Sequence, residues 1–152
     1  DGGRPVHTVD VVPSRTAPQG IAALLAYDPV ADDLHALSAD MGDCLHDVHT
    51  GEITRAVRAG NFDNVQVEMG DVIALSDGHL ILRSETSEDA LLELVEAMVD
   101  GSSDIVTLYH GEMIPEQVAE KLTERVRNRY PGLDVESASG GQPHYAYIVS
   151  VE

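Results

Sequence analysis

The chain has one cysteine, Cys44, no tryptophan, one phenylalanine and a single lysine, Lys121. A lone cysteine excludes an internal disulfide and fits a reducing compartment, so the expected location is cytoplasmic. An apolar run of membrane-spanning length is missing, as is a signal-peptide pattern. Positive charge is scarce: 9 Lys and Arg stand against 27 Asp and Glu, a formal net charge of -18. Such a surface repels phosphate backbones and argues against nucleic acid as a partner, whereas a complementary protein would carry a basic patch. The same acidity also serves solubility alone. The common signatures of chemistry are absent too. There is no Gly-x-x-x-x-Gly-Lys phosphate loop, no Gly-x-Gly-x-x-Gly, no His-Glu-x-x-His, no Cys-x-x-Cys and no serine elbow. On this basis no catalytic residue, metal ligand or cofactor is assigned within the chain.

What is present suits a folded α/β protein. Apolar residues make up 43% of 152 positions, enough for a core in one domain or in two small α/β subdomains. The chain opens at Asp1-Gly2-Gly3 without methionine and reads as part of, or a product processed from, something longer. Residues 1–5 read as a linker or tail. Residues 6–100 read as an N-terminal α/β subdomain. Its expected elements begin with a β-branched strand at Val6 to Val12 and a breaker-rich turn at Pro13 to Gly20. Ser14 or Thr16 would cap a helix that enters at Pro18 and runs to Tyr27. Next comes a longer helix from Asp32 to His49, with Leu34, Leu37, Met41, Leu45 and Val48 on one face and Thr50-Gly51 as its stop. A strand follows at Glu52 to Arg58, then a turn at Asn61 to Asn64 and a short strand at Val65 to Val67. Asp77-Gly78 between two apolar runs predicts a hairpin over residues 72–82. Thr86 or Ser87 caps a helix with a buried stripe of Ala90, Leu91, Leu94, Val95 and Met98. Its outer face carries Glu88, Asp89, Glu93, Glu96 and Asp100 without a base. Asp100 to Ser103 is a short linker.

Residues 104–152 read as a C-terminal βαβ subdomain. Ile105 to Tyr109 has strand character, and Val118, Ala119, Leu122, Val126 and Tyr130 recur at helical spacing. The helix stops at Pro131-Gly132, and Leu133 to Ser137 resumes as a strand parallel to the first. After the Gly140-Gly141-Gln142-Pro143 turn, His144 to Val151 is a last strand, expected to add antiparallel at an edge. The fold class is therefore α/β, a mixed sheet with a C-terminal βαβ unit plus edge strand. Ligands of open α/β sheets gather at the carboxyl ends of strands, which points to His110, Gly111 and Glu112. In the plainer reading, Gly111 only turns the chain and Glu112 only favours a helix N-terminus. Gly140, Gly141 and Gln142, and the acidic pair Glu93 and Glu96, complete the candidate partner- or ligand-binding residues. His46 and His49 have a chelating spacing near Asp43 and Asp47. Without further ligands they read better as polar residues of a last helical turn.

Five segments together resemble a known family: VVPSRTAPQGIAALLAYDP, TGEITRAVR, VEMGDVIALSDG, DIVTLYHGE and GGQPHYAYIVSVE. They are similar, in order and over nearly the whole chain, to the C-terminal domain of the A-type subunit of bacterial fatty acid kinase, one of the dihydroxyacetone-kinase-like, DAK2-domain proteins. The ending Gly140 to Glu152 is the most specific part. The resemblance implies a parent protein with an N-terminal kinase domain that binds ATP and magnesium. That parent would phosphorylate a fatty acid held by a separate DegV-like subunit, and the acyl phosphate would feed phospholipid synthesis. In this reading the nucleotide-binding domain lies outside the chain, which alone would be inactive and would dock the fatty-acid-binding subunit. The alternatives are a dihydroxyacetone- or glycerone-kinase-like domain with its own small-molecule or lipid site, or a scaffold that forms a homodimer.

Overall fold

The computed structural model describes residues 7–152, so the expected tail at residues 1–5 and Val6 of the first expected strand lie outside the described residues. The chain forms two compact units, Asp1–Val48 and His49–Glu152. The division expected between residues 100 and 104 is not where the chain separates, because strands from both sides of it share one sheet.

In the first unit, residues 7–15 form no helix or strand, and Val9 and Val11 are 76% and 79% exposed. The strand expected at Val6 to Val12 is therefore not formed across the described positions, since β-branched composition makes a strand only where another strand pairs with it. Helix α1 covers Ala17–Leu25. Its cap is Thr16, whose hydroxyl accepts from the Gln19 N–H at 3.3 Å, and Pro18 sits in the first turn. Helix α2 covers Leu34–Asp43, with Asp33 accepting from the N–H groups of His35 and Ala36. It ends well before His49, and Cys44–Asp47 turns instead. No residue of α2 is buried; of the stripe read as its core face, Leu34 is exposed, Leu37 and Met41 are half-buried, and the buried Leu45 and Val48 lie beyond the helix end. The Gln19 side-chain amide donates to the Leu45 carbonyl, tying α1 to this turn at 3.3 Å.

The second unit is a six-stranded mixed sheet. In chain order its strands are β1 (His49–Arg55), β4 (Val72–Ser76), β5 (His79–Ser84), β6 (Ile105–His110), β7 (Asp134–Ser139) and β8 (Tyr145–Val151). Across the sheet they run β5-β4-β1-β8-β6-β7. Only β6 and β7 are parallel, joined by the crossover helix α4 (Glu116–Arg129) as the βαβ pattern required. β8 is not an edge strand. It lies between β1 and β6, antiparallel to both, because Tyr147, Val149 and Val151 face the core while Ala146 and Ile148 keep the other face apolar. The edge position goes to β7, whose Asp134, Glu136, Ser137 and Ser139 are exposed.

Helix α3 (Ser87–Met98) packs on β1, β4 and β5, and α4 packs on β6 and β7. Together they enclose one cluster that includes Ile53, Leu91, Leu94, Leu108, Leu122, Val126, Tyr147 and Val149. Gly51, expected to end a helix, is instead a buried β1 residue. A Cβ there would lie 2.7 Å from Met98 Sδ and 2.8 Å from Leu94 Cδ2, so any larger residue would have to displace these side-chain ends for α3 to settle this close to the strand.

Two tight hairpins complete the unit. Asp77 and Gly78 both have positive φ, 48° and 83°, as the predicted β4–β5 turn requires. Asp63 and Asn64 do the same, with φ of 50° and 67°. They join β2 (Gly60–Phe62) to β3 (Val65–Val67) in a separate two-stranded ribbon over Ala56, Val67 and Leu80. The turn expected at Asn61 to Asn64 is confined to Asp63 and Asn64, because Asn61 and Phe62 belong to β2, a strand too short to stand out in the sequence.

Candidate functional site

The carboxyl end of β6 is fastened to the loop before β8, and to the start of β8 itself, by four hydrogen bonds. Gly111 N–H donates to the Ala146 carbonyl at 2.9 Å, and Glu112 N–H donates to that of Gln142 at 3.2 Å. Gly140 N–H donates to the His110 carbonyl at 3.0 Å, and the Gln142 side-chain amide donates to that of Tyr109 at 2.9 Å. The sequence candidates His110, Gly111 and Glu112 thus meet the candidates Gly140, Gly141 and Gln142 in one clasp. The Thr54 hydroxyl ties β1 to it by donating to the His144 carbonyl at 2.8 Å. Gly111 is where facing backbone presses closest: an added Cβ would fall inside the contact distance of the Tyr145 carbonyl oxygen and 2.9 Å from that of Gln142, whereas at Gly140 it would meet the end of the Gln142 side chain.

Beside the clasp opens a cleft of about 530 Å³. Half-buried Ile114, Tyr145 and Ala146 form its floor. Val57 and Met113, 88% and 83% exposed, stand at its rim with Arg55 and His144. Ser87, the first residue of α3, also lines it, so the cleft lies where α3 begins and β6 ends. Arg55 is held by donating to the Gly70 carbonyl at 2.9 Å. Two bare apolar side chains over an apolar floor, flanked by a guanidinium, suit an apolar side chain with a neighbouring acid. Sequence reasoning missed Arg55, Val57, Met113, His144 and Tyr145. They come from three separated stretches, and only the fold brings them together.

Beneath the clasp, His110 and Tyr147 are paired across β6 and β8 on the core face. Within the described residues, His110 Nδ1 and the Tyr147 hydroxyl have no hydrogen-bond partner. Burial, followed by the nearby Glu88 carboxylate, pushes the Tyr147 phenol up to about 12. A buried hydroxyl without a partner costs its desolvation, so Tyr147→Phe is expected to be neutral or to stabilise by up to about 1 kcal/mol. Urea titration checks this, and a clear loss of stability would reveal a partner for the hydroxyl.

Glu93 and Glu96 lie roughly two turns along α3 from Ser87, away from the clasp. The outer face of α3 is not free of bases, because Arg129 Nη2 at the end of α4 meets Glu96 Oε2 at 2.7 Å. This pair links two helices far apart in sequence, which helical spacing within α3 does not reveal. Nor do His46 and His49 share a helix end. His49 starts β1, with Nδ1 2.8 Å from Asp77 Oδ2, while Asp77 Oδ1 accepts from Thr50 N–H. Among the described residues, no three His, Cys, Asp or Glu side chains converge as metal ligands. No described helix is long and apolar enough to cross a membrane.

A second, polar hollow of about 440 Å³ lies across Arg55 between Asp71 and Arg83. The Glu68 N–H, and then Arg83 at 3.2 Å, hold the Asp71 carboxyl below its ordinary range despite some desolvation. A lowered folded-state pKa contributes stability above the ordinary Asp value of about 4 and loses it as pH falls through the folded value. Asp71→Asn is therefore expected to flatten part of the acid limb of stability against pH. An unchanged acid limb would contradict this assignment.

With this geometry in place, comparison with known proteins assigns the chain to a family. Residues 4–152 match the FakA-like C-terminal family, the C-terminal region of proteins like the A-type fatty acid kinase subunit. The chain belongs to this family. Protein YloV of Bacillus subtilis is 35% identical over 144 residues, which are 95% of this chain and 26% of that protein. An uncharacterized protein of Staphylococcus haemolyticus is 34% identical over 142 residues, 93% of this chain and 26% of that relative. An uncharacterized protein of Staphylococcus aureus is 32% identical with the same coverage. The chain thus spans about a quarter of the length of the curated relatives it matches. The FakA-like match takes in both compact units, and with them the clasp, the cleft and α1.

Proposed function

We propose that this is the C-terminal domain of a kinase subunit for fatty acids, and that its strand-end cleft docks a DegV-like fatty-acid-binding subunit. The parent protein, with ATP and magnesium bound in its remaining part, would then phosphorylate the fatty acid that the partner presents, yielding an acyl phosphate. The observation that carries this reading is the cleft, where Val57 and Met113 stand exposed on a rim anchored by the Gly111 clasp. Exposed apolar anchors on a rigid frame, ringed by polar groups, are a common basis of protein recognition. The acidic surface of the chain adds long-range attraction for a basic partner. Phosphoryl transfer, by contrast, needs cations around the phosphates, and the cleft offers Arg55 alone among Lys and Arg.

Met113→Asp and Val57→Asp are each expected to weaken partner binding by roughly 30-fold or more, about 2 kcal/mol or above, as for hot-spot residues. Both sites are exposed, so folding should be preserved. Glu93→Gln is expected to change mainly the salt dependence of association. Calorimetric titration with the purified partner reads all three.

The cleft's volume also falls in the range of small-molecule pockets, which supports a second reading as a lipid or triose site of its own. Titration with fatty acid alone, without the partner, separates the two. Binding of the free acid by wild type that Met113→Asp abolishes would favour the second reading.

A further inference from the structure

Helix α1 and the loop after it bear a face that nothing in its own unit covers. Ile21, Leu24 and Leu25 recur at the i, i+3, i+4 spacing of a helix stripe meant for burial, yet all three are exposed, Leu25 at 83%. Tyr27, Val30 (84% exposed) and Leu34 are exposed beyond it, among the acids Asp28, Asp32 and Asp33. Around it the unit offers little core: α1 buries only Pro18 and Ala23, α2 buries nothing, and Leu45 and Val48 add two buried side chains after it. Two short helices with so little shared burial fall below what a free-standing unit needs.

The α1 part of this face is also bare of charge. Residues 16–27 contain no Asp, Glu, Lys or Arg, in a chain where 24% of residues are charged. An acidic chain that meets separate partners by attraction would place charge around its contact. A charge-depleted apolar patch is the composition of a permanent interface core. A permanent occupant is available, because the relatives extend well beyond the matched region, which the family description places at the C-terminal end.

We propose that the Ile21–Leu24–Leu25 face, continued by Tyr27, Val30 and Leu34, packs in the full-length protein against the part of the same polypeptide that precedes this region. A tethered partner acts at high effective concentration and needs no electrostatic steering, which accounts for the lack of charge. The inference rests on family membership and not on the docking role of the cleft.

Hydrogen exchange of α1 amides tests it, measured in the full-length protein and in the 152-residue chain alone. The expected result is exchange on the order of 100-fold slower in the full-length protein. Leu24→Asp combined with Leu25→Asp should restore fast exchange in α1, while β6 and β8 amides stay protected. Val57→Asp should leave α1 protection unchanged, which separates this proposal from the fate of the cleft reading. Equal exchange in both proteins would overturn it. So would protection in the shorter chain that rises with its own concentration, which would indicate a second copy. Protection of the full-length protein that appears only when the fatty-acid-binding subunit is added would overturn it as well.

Discussion

Gly111→Ala is expected to lower stability by about 3 kcal/mol, with the loss concentrated at the clasp. The cause is steric. The new methyl would be forced onto the Tyr145 carbonyl oxygen and close to that of Gln142, both backbone atoms on the facing loop. Backbone cannot rotate aside as a side-chain end can, so the loop must retreat. Retreat stretches the bonds from Gly111 N–H to Ala146 and from Glu112 N–H to Gln142. Gly141→Ala is the control. Its φ of 62° makes alanine strained by about 1 kcal/mol, but nothing lies within 4 Å of the added carbon. Urea titration of the two variants should give a loss at Gly111 well above that at Gly141. Comparable losses would mean that the clasp yields readily and the cleft lacks a rigid frame. Because Met113 lies just two residues on, Gly111→Ala should also weaken partner binding beyond what its fraction folded explains.

The second large effect is expected at Leu94. Its side chain is fully buried where α3 meets β1, and Leu94→Ala is expected to cost about 3 kcal/mol through lost burial and the cavity left behind. Gly51→Ala pushes from the other side of the same contact and is expected to cost about 2 kcal/mol. In the double variant, the space vacated by Leu94 receives the new methyl of residue 51. The two losses should therefore add to less than their sum by about 1 kcal/mol. Met98 limits the relief, since its sulfur would remain 2.7 Å from the added carbon unless its flexible side chain swings away. Strict additivity would show that Gly51 is required for something other than the approach of α3.

Local signals made much of the sheet unit legible in the sequence. The Asp77-Gly78 hairpin, the Thr86 cap and the β6–α4–β7 crossover each depend on residues near one another in the chain. Gly51 shows where such signals mislead. A glycine after a periodic run reads as a helix stop, yet its reason lies across the sheet in Leu94 and Met98. The placement of β8 is the same kind of case, because both flanking strands must be known before its two apolar faces make sense.

The candidate site divides along the same line. His110 to Glu112 and Gly140 to Gln142 were each visible as turn chemistry at a strand end, and the structure unites them through the bonds of the clasp. Val57 and Met113 carried no signal, because an exposed apolar residue in a loop looks the same in sequence whether or not it lines a cleft. In the first unit, the charge-free stretch around α1 reads in sequence as a turn and capped helix, with anion binding at its N-terminus as the lesser alternative. Its meaning depends on exposure, which sequence alone does not give.

Docking at the cleft is tested most directly by calorimetric titration of the DegV-like fatty-acid-binding subunit into the chain, as wild type and as Met113→Asp, with folding confirmed for both. Wild type is expected to bind measurably, and replacing Met113 to weaken binding by roughly 30-fold or more with stability unchanged. Equal affinity of the two proteins, or no binding by a folded wild type, would contradict the claim that the strand-end cleft docks the partner.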